Sequence, residues 1–154
     1  MAIAKLERTL NVSRDYCWAW LADFGALSSL HPPGNLTEFS CEGSTPGDRR
    51  FARFNPELGV EEQIIERLEV VNAPHVIAYS IVENDPLPMK DYVAVITFNE
   101  KSSDSTEIIW EGHYTEAGLG ETEMSAMLCN FYSLFLDGIA KAHELGRAPG
   151  ETPY

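Results

Sequence analysis

Apolar and polar positions alternate from the start of the chain. Between residues 3 and 12, Ala4, Leu6, Arg8, Leu10 and Val12 fall on one side and Lys5, Glu7, Thr9 and Asn11 on the other. A period of two is the signature of a half-buried strand, with Arg8 the odd member of the apolar side. Ser13 then reads as a helix N-cap with Asp15 in the first turn. Residues 14–24 carry Cys17, Trp18, Leu21 and Phe24 near helical spacing, and Gly25 ends the helix. Trp18 and Trp20 stand two apart, so they face different ways: one packs under the sheet and the other lies nearer the surface. A second short helical turn over 26–30 is stopped by Pro32-Pro33.

Six more strand signals follow, over 36–42, 49–54, 60–71, 75–83, 90–99 and 105–115. Turn-forming residues separate them, such as Gly43 to Gly47, Asn55 to Gly59 and Asn84 to Pro88. Short links between successive strands predict an antiparallel meander. From about Gly120 the period becomes helical, with Met124, Met127, Leu128, Phe131, Leu134, Phe135, Ile139 and Ala142 at i, i+3, i+4, i+7. About 25 residues at 1.5 Å each make a helix about 37 Å long. Gly146 ends it, and a flexible Pro/Gly-rich tail is expected over 147–154.

The order is strand, two short helices, six strands and one long helix, which places residues 1–146 in a single α+β domain. A seven-stranded sheet has two faces, and one long helix is available to cover one of them. The sheet must therefore curve around that helix, and a curved sheet closed by a single helix readily leaves a hollow inside.

Period-two alternation also says which side chains face that hollow. Ile64, Glu66, Leu68 and Val70 share a side of the fourth strand, with Ile65 and Val71 as exceptions. Ile77, Tyr79 and Ile81 go together in the fifth, and Tyr92, Ala94, Ile96 and Phe98 in the sixth. Ile108, Trp110, Gly112 and Tyr114 do so in the seventh. In the third, Arg50, Ala52 and Phe54 oppose Arg49, Phe51 and Arg53. The helix would turn Met127, Phe131 and Phe135 toward the sheet. The wall is apolar and aromatic with few polar tips, as small-molecule pockets are. A filled core whose tyrosine hydroxyls reach water or backbone is the competing reading.

Composition narrows the partners. Among 154 residues, 24 acidic against 11 basic give a net charge of −13. That disfavours nucleic acid and anionic headgroups, which need Lys and Arg. Cys17, Cys41 and Cys129 form no CxxC spacing, so neither a disulfide framework nor a zinc site is expected. His31, His75, His113 and His143 share no metal-ligand spacing, and there is no phosphate-cradling glycine loop. No metal or cofactor is expected. Without a leader or an apolar run of about 18 residues, the expectation is a cytoplasmic protein with no membrane insertion. Self-association into a homodimer stays open.

Several local stretches, in order, carry a family likeness. They are Tyr16 to Phe24 after the first strand, Pro46-Gly47-Asp48-Arg49-Arg50 before the third, and Glu66-Arg67-Leu68 in the fourth. Pro86-Leu87-Pro88 with Tyr92, and Trp110-Glu111-Gly112-His113-Tyr114, complete the set. From about Ile3 to Glu144 the chain resembles the helix-grip superfamily (START/Bet v 1-like, SRPBCC). Its wording is most similar to bacterial polyketide cyclase/dehydrase-like proteins. The resemblance implies a curved antiparallel sheet gripping the C-terminal helix and a cavity for a small hydrophobic or aromatic ligand. In the superfamily's plant abscisic-acid receptors, the glutamate matching Glu66 contacts ligand through water. Their matching loops gate the pocket, so Leu58 or Leu87 could cap a ligand here, unless both links are plain hairpin turns. The receptors' carboxylate-holding lysine has no counterpart in the inner set. The interior lysine of the Pictet-Spengler members has none in residues 107–110.

Glu66 is the sharpest single position. A carboxylate in an apolar shell must be paired or must shift its titration. It could orient a ligand, act as a general acid or base, or form a structural ion pair with Arg8 or Arg50. Three functions remain in play. One is a carrier or sensor of a small hydrophobic molecule. Another is a cofactor-independent cyclase or dehydratase using Glu66 with Tyr79, Tyr92 or Arg50. The third is a partner-binding domain whose cavity holds nothing.

Overall fold

The chain runs through β1 (Ala2–Leu10), α1 (Arg14–Ala22), a 3-10 turn (Ala26–Leu30), β2 (Leu36–Cys41) and β3 (Arg49–Phe54). A shorter 3-10 turn (Pro56–Leu58) leads to β4 (Ile64–Asn72), β5 (Val76–Ile81), β6 (Met89–Ser102), β7 (Ser105–Glu116) and α2 (Glu121–Glu144). This computed structural model describes residues 1–60, 62–83 and 86–154. Glu61 of the expected fourth strand, and Asn84 and Asp85 of the expected link before β6, lie outside the described residues.

All seven strands pair antiparallel in one curved sheet, ordered β1-β7-β6-β5-β4-β3-β2. The first strand closes onto the last, with Ala4 opposite Gly112, and α2 lies across β1 and β7. The alternation in β7 is clean: Thr106, Ile108, Trp110, Gly112 and Tyr114 are buried and their neighbours are not. In α1 the N-cap forms as expected, the Ser13 hydroxyl accepting from the Tyr16 amide at 3.2 Å. Ser13→Ala should cost about 1 kcal/mol. It should appear as a lower urea midpoint at unchanged slope; an unmoved midpoint would show that the cap contributes nothing. Trp20 is the tryptophan beneath the sheet, fully buried. Trp18 stays half-buried with its edge on Phe98 at 5.1 Å.

Three expectations need correction. The fourth strand begins at Ile64 rather than at 60, and the register shifts between Leu68 and Val70. That bulge puts an extra residue in the strand and reverses its phase. Val70 therefore points out, 47% exposed, and Val71 packs on the core instead. The helix face is rotated by about one position. Met124, Leu128, Tyr132, Phe135, Leu136 and Ile139 are buried, whereas Met127 and Phe131 are half-buried. The sixth strand extends to Ser102, further than its apolar pattern.

The last residues also make contacts the pattern gave no sign of. The Tyr16 hydroxyl donates to the Arg147 carbonyl at 3.0 Å. The Lys141 ammonium lies 4.8 Å from the Tyr154 ring centre.

Candidate functional site

Between the inner face of β3–β6, the first 3-10 turn and α2 lies a cavity of about 80 Å³. A single water needs on the order of 10–15 Å³ on this measure, so several waters or one small ring would fit. β3 contributes Arg50, Ala52 and Phe54; β4, Ile64 and Glu66; β5, Tyr79 and Ile81. Leu87, Met89 and Tyr92 line it from the chain entering and forming β6, and Leu128, Phe131, Tyr132 and Phe135 from α2. Leu27, His31, Phe39 and Val60 complete the wall.

The polar part is built around Arg50, only 4% exposed. Arg50 and Glu66 are register partners on β3 and β4. The Arg50 Nε donates to Glu66 Oε1 at 2.9 Å, and its NH1 donates to the Phe24 carbonyl at 3.1 Å. The guanidinium also lies over the Phe24 ring at 3.9 Å and the Tyr79 ring at 4.9 Å. Loop and strand are tied further by the Phe24 amide, which donates to Ser44 Oγ at 2.9 Å. A buried guanidinium is therefore paired, hydrogen-bonded and stacked at once, which offsets its desolvation. Among the described residues, Glu66 Oε2 takes no hydrogen bond. Arg8 is not the partner of Glu66. It pairs with Asp137 at 2.5 Å and donates to the Ser133 carbonyl.

A second polar group is aromatic. The Tyr92 and Tyr132 hydroxyls meet at 2.5 Å, and Trp110 Nε1 donates to the Tyr79 hydroxyl at 3.2 Å. Burial raises all three tyrosines above their ordinary range, so they stay protonated and can donate at neutral pH. Space for the pair comes from a row of small residues across the sheet, Ala4–Gly112–Ala94. A Cβ on Gly112 would collide with the Tyr132 hydroxyl and stand 2.8 Å from Tyr92 Cε2. Gly112→Ala should destabilise by about 1–3 kcal/mol through overpacking. Tyr132→Phe in the same chain should recover part of that loss in thermal melts. No recovery would mean that the clash lies elsewhere.

Residues 1–144 match the family described as polyketide cyclase / dehydrase and lipid transport. The chain belongs to this family. A protein from Bacillus thuringiensis with no assigned role shares 26% identity, with 92% of this chain and 98% of that one covered and a TM-score of 0.73. The protein XoxI from Bacillus cereus is also 26% identical, covering 92% and 95% at a TM-score of 0.75. Norcoclaurine synthase from Thalictrum flavum, at 17% identity, covers 90% and 91% with a TM-score of 0.73; that likeness is one of fold, the helix grip. No curated protein matches. The family's own description joins lipid transport with cyclase and dehydrase chemistry, so hydrophobic-ligand binding or cyclase activity is its common ground.

Within this family member, ten of the expected site residues reach the cavity: Arg50, Phe54, Ile64, Glu66, Tyr79, Ile81, Leu87, Tyr92, Phe131 and Phe135. Five do not. Ala94 is core beneath the tyrosines. Ile96 and Trp110 face a separate small void beside Trp20, and Trp110 is stacked behind Tyr132 at 4.8 Å and 9°. Tyr114 is occupied with the Glu121 carbonyl and Ser125 Oγ, and Met127 is rotated away with its helix face. Of the two leucines either of which could cap a ligand, Leu87 lines the cavity and Leu58 stands 53% exposed, with Val60 also on the wall. His31 and Tyr132 are the polar members that sequence reasoning passed over. Among the described residues no group of acidic, His and Cys side chains is placed to hold a metal, and no helix is long and apolar enough to cross a membrane.

Proposed function

We propose that the protein binds a small, largely apolar ring compound in this cavity and carries or senses it. The observation that supports the reading is the wall itself: an apolar chamber whose charged groups are one internally paired Arg50–Glu66 couple. Binding a ring there needs no new charge partner, because Arg50 is already spent. Ethylbenzene is a suitable probe, since cavities with mainly apolar walls take up single-ring hydrocarbons. Titration followed by amide chemical shifts should show saturable binding with the largest shifts on β3–β5 and α2. Ala52→Phe, which fills the chamber, should abolish it while the protein stays folded. No saturation in the wild type by ethylbenzene or by a single ring bearing a carbonyl, or shifts that persist in Ala52→Phe, would overturn the proposal.

A second reading has Glu66 as the acid/base of a cyclase or dehydratase. It is favoured by Oε2, which takes no hydrogen bond among the described residues, on a carboxylate that lines the cavity. Glu66→Gln separates the two. If it removes turnover of a substrate while affinity stays within about threefold, the protein is an enzyme and the carrier reading fails.

A further inference from the structure

His31 ends the first 3-10 turn and lies on the cavity wall, 9% exposed. Its ring is clamped edge-on between Phe135 at 5.0 Å and Phe54 at 5.6 Å. Among the described residues neither ring nitrogen has a hydrogen-bond partner, and Nδ1 is completely enclosed. Burial, and then the nearby Arg50 charge, hold the ring neutral. A neutral imidazole carries a single N–H. Placing it on Nδ1 would bury an orphaned donor, which is rarer in proteins than an under-used acceptor. The proton therefore belongs on Nε2, the nitrogen that is not sealed.

We propose that His31 is a specificity-determining donor: its Nε2–H binds an acceptor oxygen on the ligand. The ligand class is then a small ring compound bearing a carbonyl, rather than a plain hydrocarbon. This rests on the cavity reading above and sharpens it. A donor held rigidly by two aromatic rings and left unpaired inside an apolar chamber discriminates well, because a ligand without an acceptor leaves it unsatisfied. Glu66 cannot fill this role, since a carboxylate only accepts.

The test compares acetophenone with ethylbenzene, two rings of the same size that differ by the carbonyl. Wild type should bind acetophenone about fivefold to tenfold more tightly. His31→Phe, which keeps the aromatic clamp, should bring the ratio near one. Equal affinities in the wild type, or an unchanged ratio in His31→Phe, would overturn the role of His31 and leave the cavity reading standing. If neither compound binds, the cavity reading itself falls and takes this inference with it. Imidazole ¹H–¹⁵N spectra of the wild type give a test that needs no variant. The His31 ring should be the Nε2–H tautomer, and its Nε2 signal should move on adding acetophenone. An Nδ1–H tautomer would contradict the proposal.

Discussion

Arg50→Met should lower the stability of this protein by about 3–5 kcal/mol, the range seen when one partner of a buried ion pair is removed. The loss is large because four interactions end on one guanidinium. Methionine keeps much of the volume, so the cavity term stays small. It loses the 2.9 Å bond to Glu66, the 3.1 Å bond to the Phe24 carbonyl and the stacking on Phe24 and Tyr79. Glu66, only 15% exposed at its side chain, is then left without its counter-charge. For a chain of this length, about 2–4 °C of melting temperature accompanies each kcal/mol, so a drop of roughly 10 °C is expected. Arg50→Met/Glu66→Leu should recover most of it, because replacing both partners by apolar groups removes the stranded charge. A single variant that loses under about 1 kcal/mol would show that the pair is not buried as described. A double variant no better than the single would place the cost in the Phe24 carbonyl instead.

The same pair shows how far the chain could be read in advance. Alternation put Arg50 and Glu66 on the inner face of neighbouring strands, and the pairing follows from their register. What alternation could not supply was the phase of elements that break it. One extra residue after Leu68 sends Val70 outward, and nothing in Glu69-Val70-Val71 announces a bulge. In α2 the i, i+3, i+4, i+7 set runs through Met127 and Phe131 and leaves out Tyr132. Tyr132 is inside because its hydroxyl finds Tyr92 and its ring finds Trp110. Gly112 becomes informative only once that ring is placed, since the glycine leaves room for it. His31 sits in a short turn with no periodicity of its own, and only its position between Phe54 and Phe135 makes it part of the wall.

That position should also write itself into the pH dependence of stability. Burial first, and Arg50 second, push His31 down to about 4 from an ordinary 6.5. The sign follows from which state takes the proton more readily. In the unfolded chain His31 protonates near pH 6.5; in the folded protein it resists until about pH 4. Between those values the unfolded state holds more protons, so stability falls as pH falls. The contribution is complete above pH 6.5 and exhausted below about 4. Its size is roughly 3 kcal/mol, from 1.36 kcal/mol per tenfold change in proton affinity. Phe54 on β3 and Phe135 on α2 face the ring, and Arg50 is the charge that acts on it. Neither phenylalanine carries a titratable group. Glu42, Glu69 and Glu116 are held low by Arg49, by Ser80 and by the Gly120 and Gly118 amides. Their contributions disappear as pH drops below the ordinary carboxylate value, beneath most of the His31 window. Urea melts at half-unit steps from pH 7.5 to 4.5 should therefore show a fall in the wild type that His31→Phe flattens. If the two curves run parallel, the His31 ring is reaching water in the folded state, and the neutral donor inside the cavity goes with it.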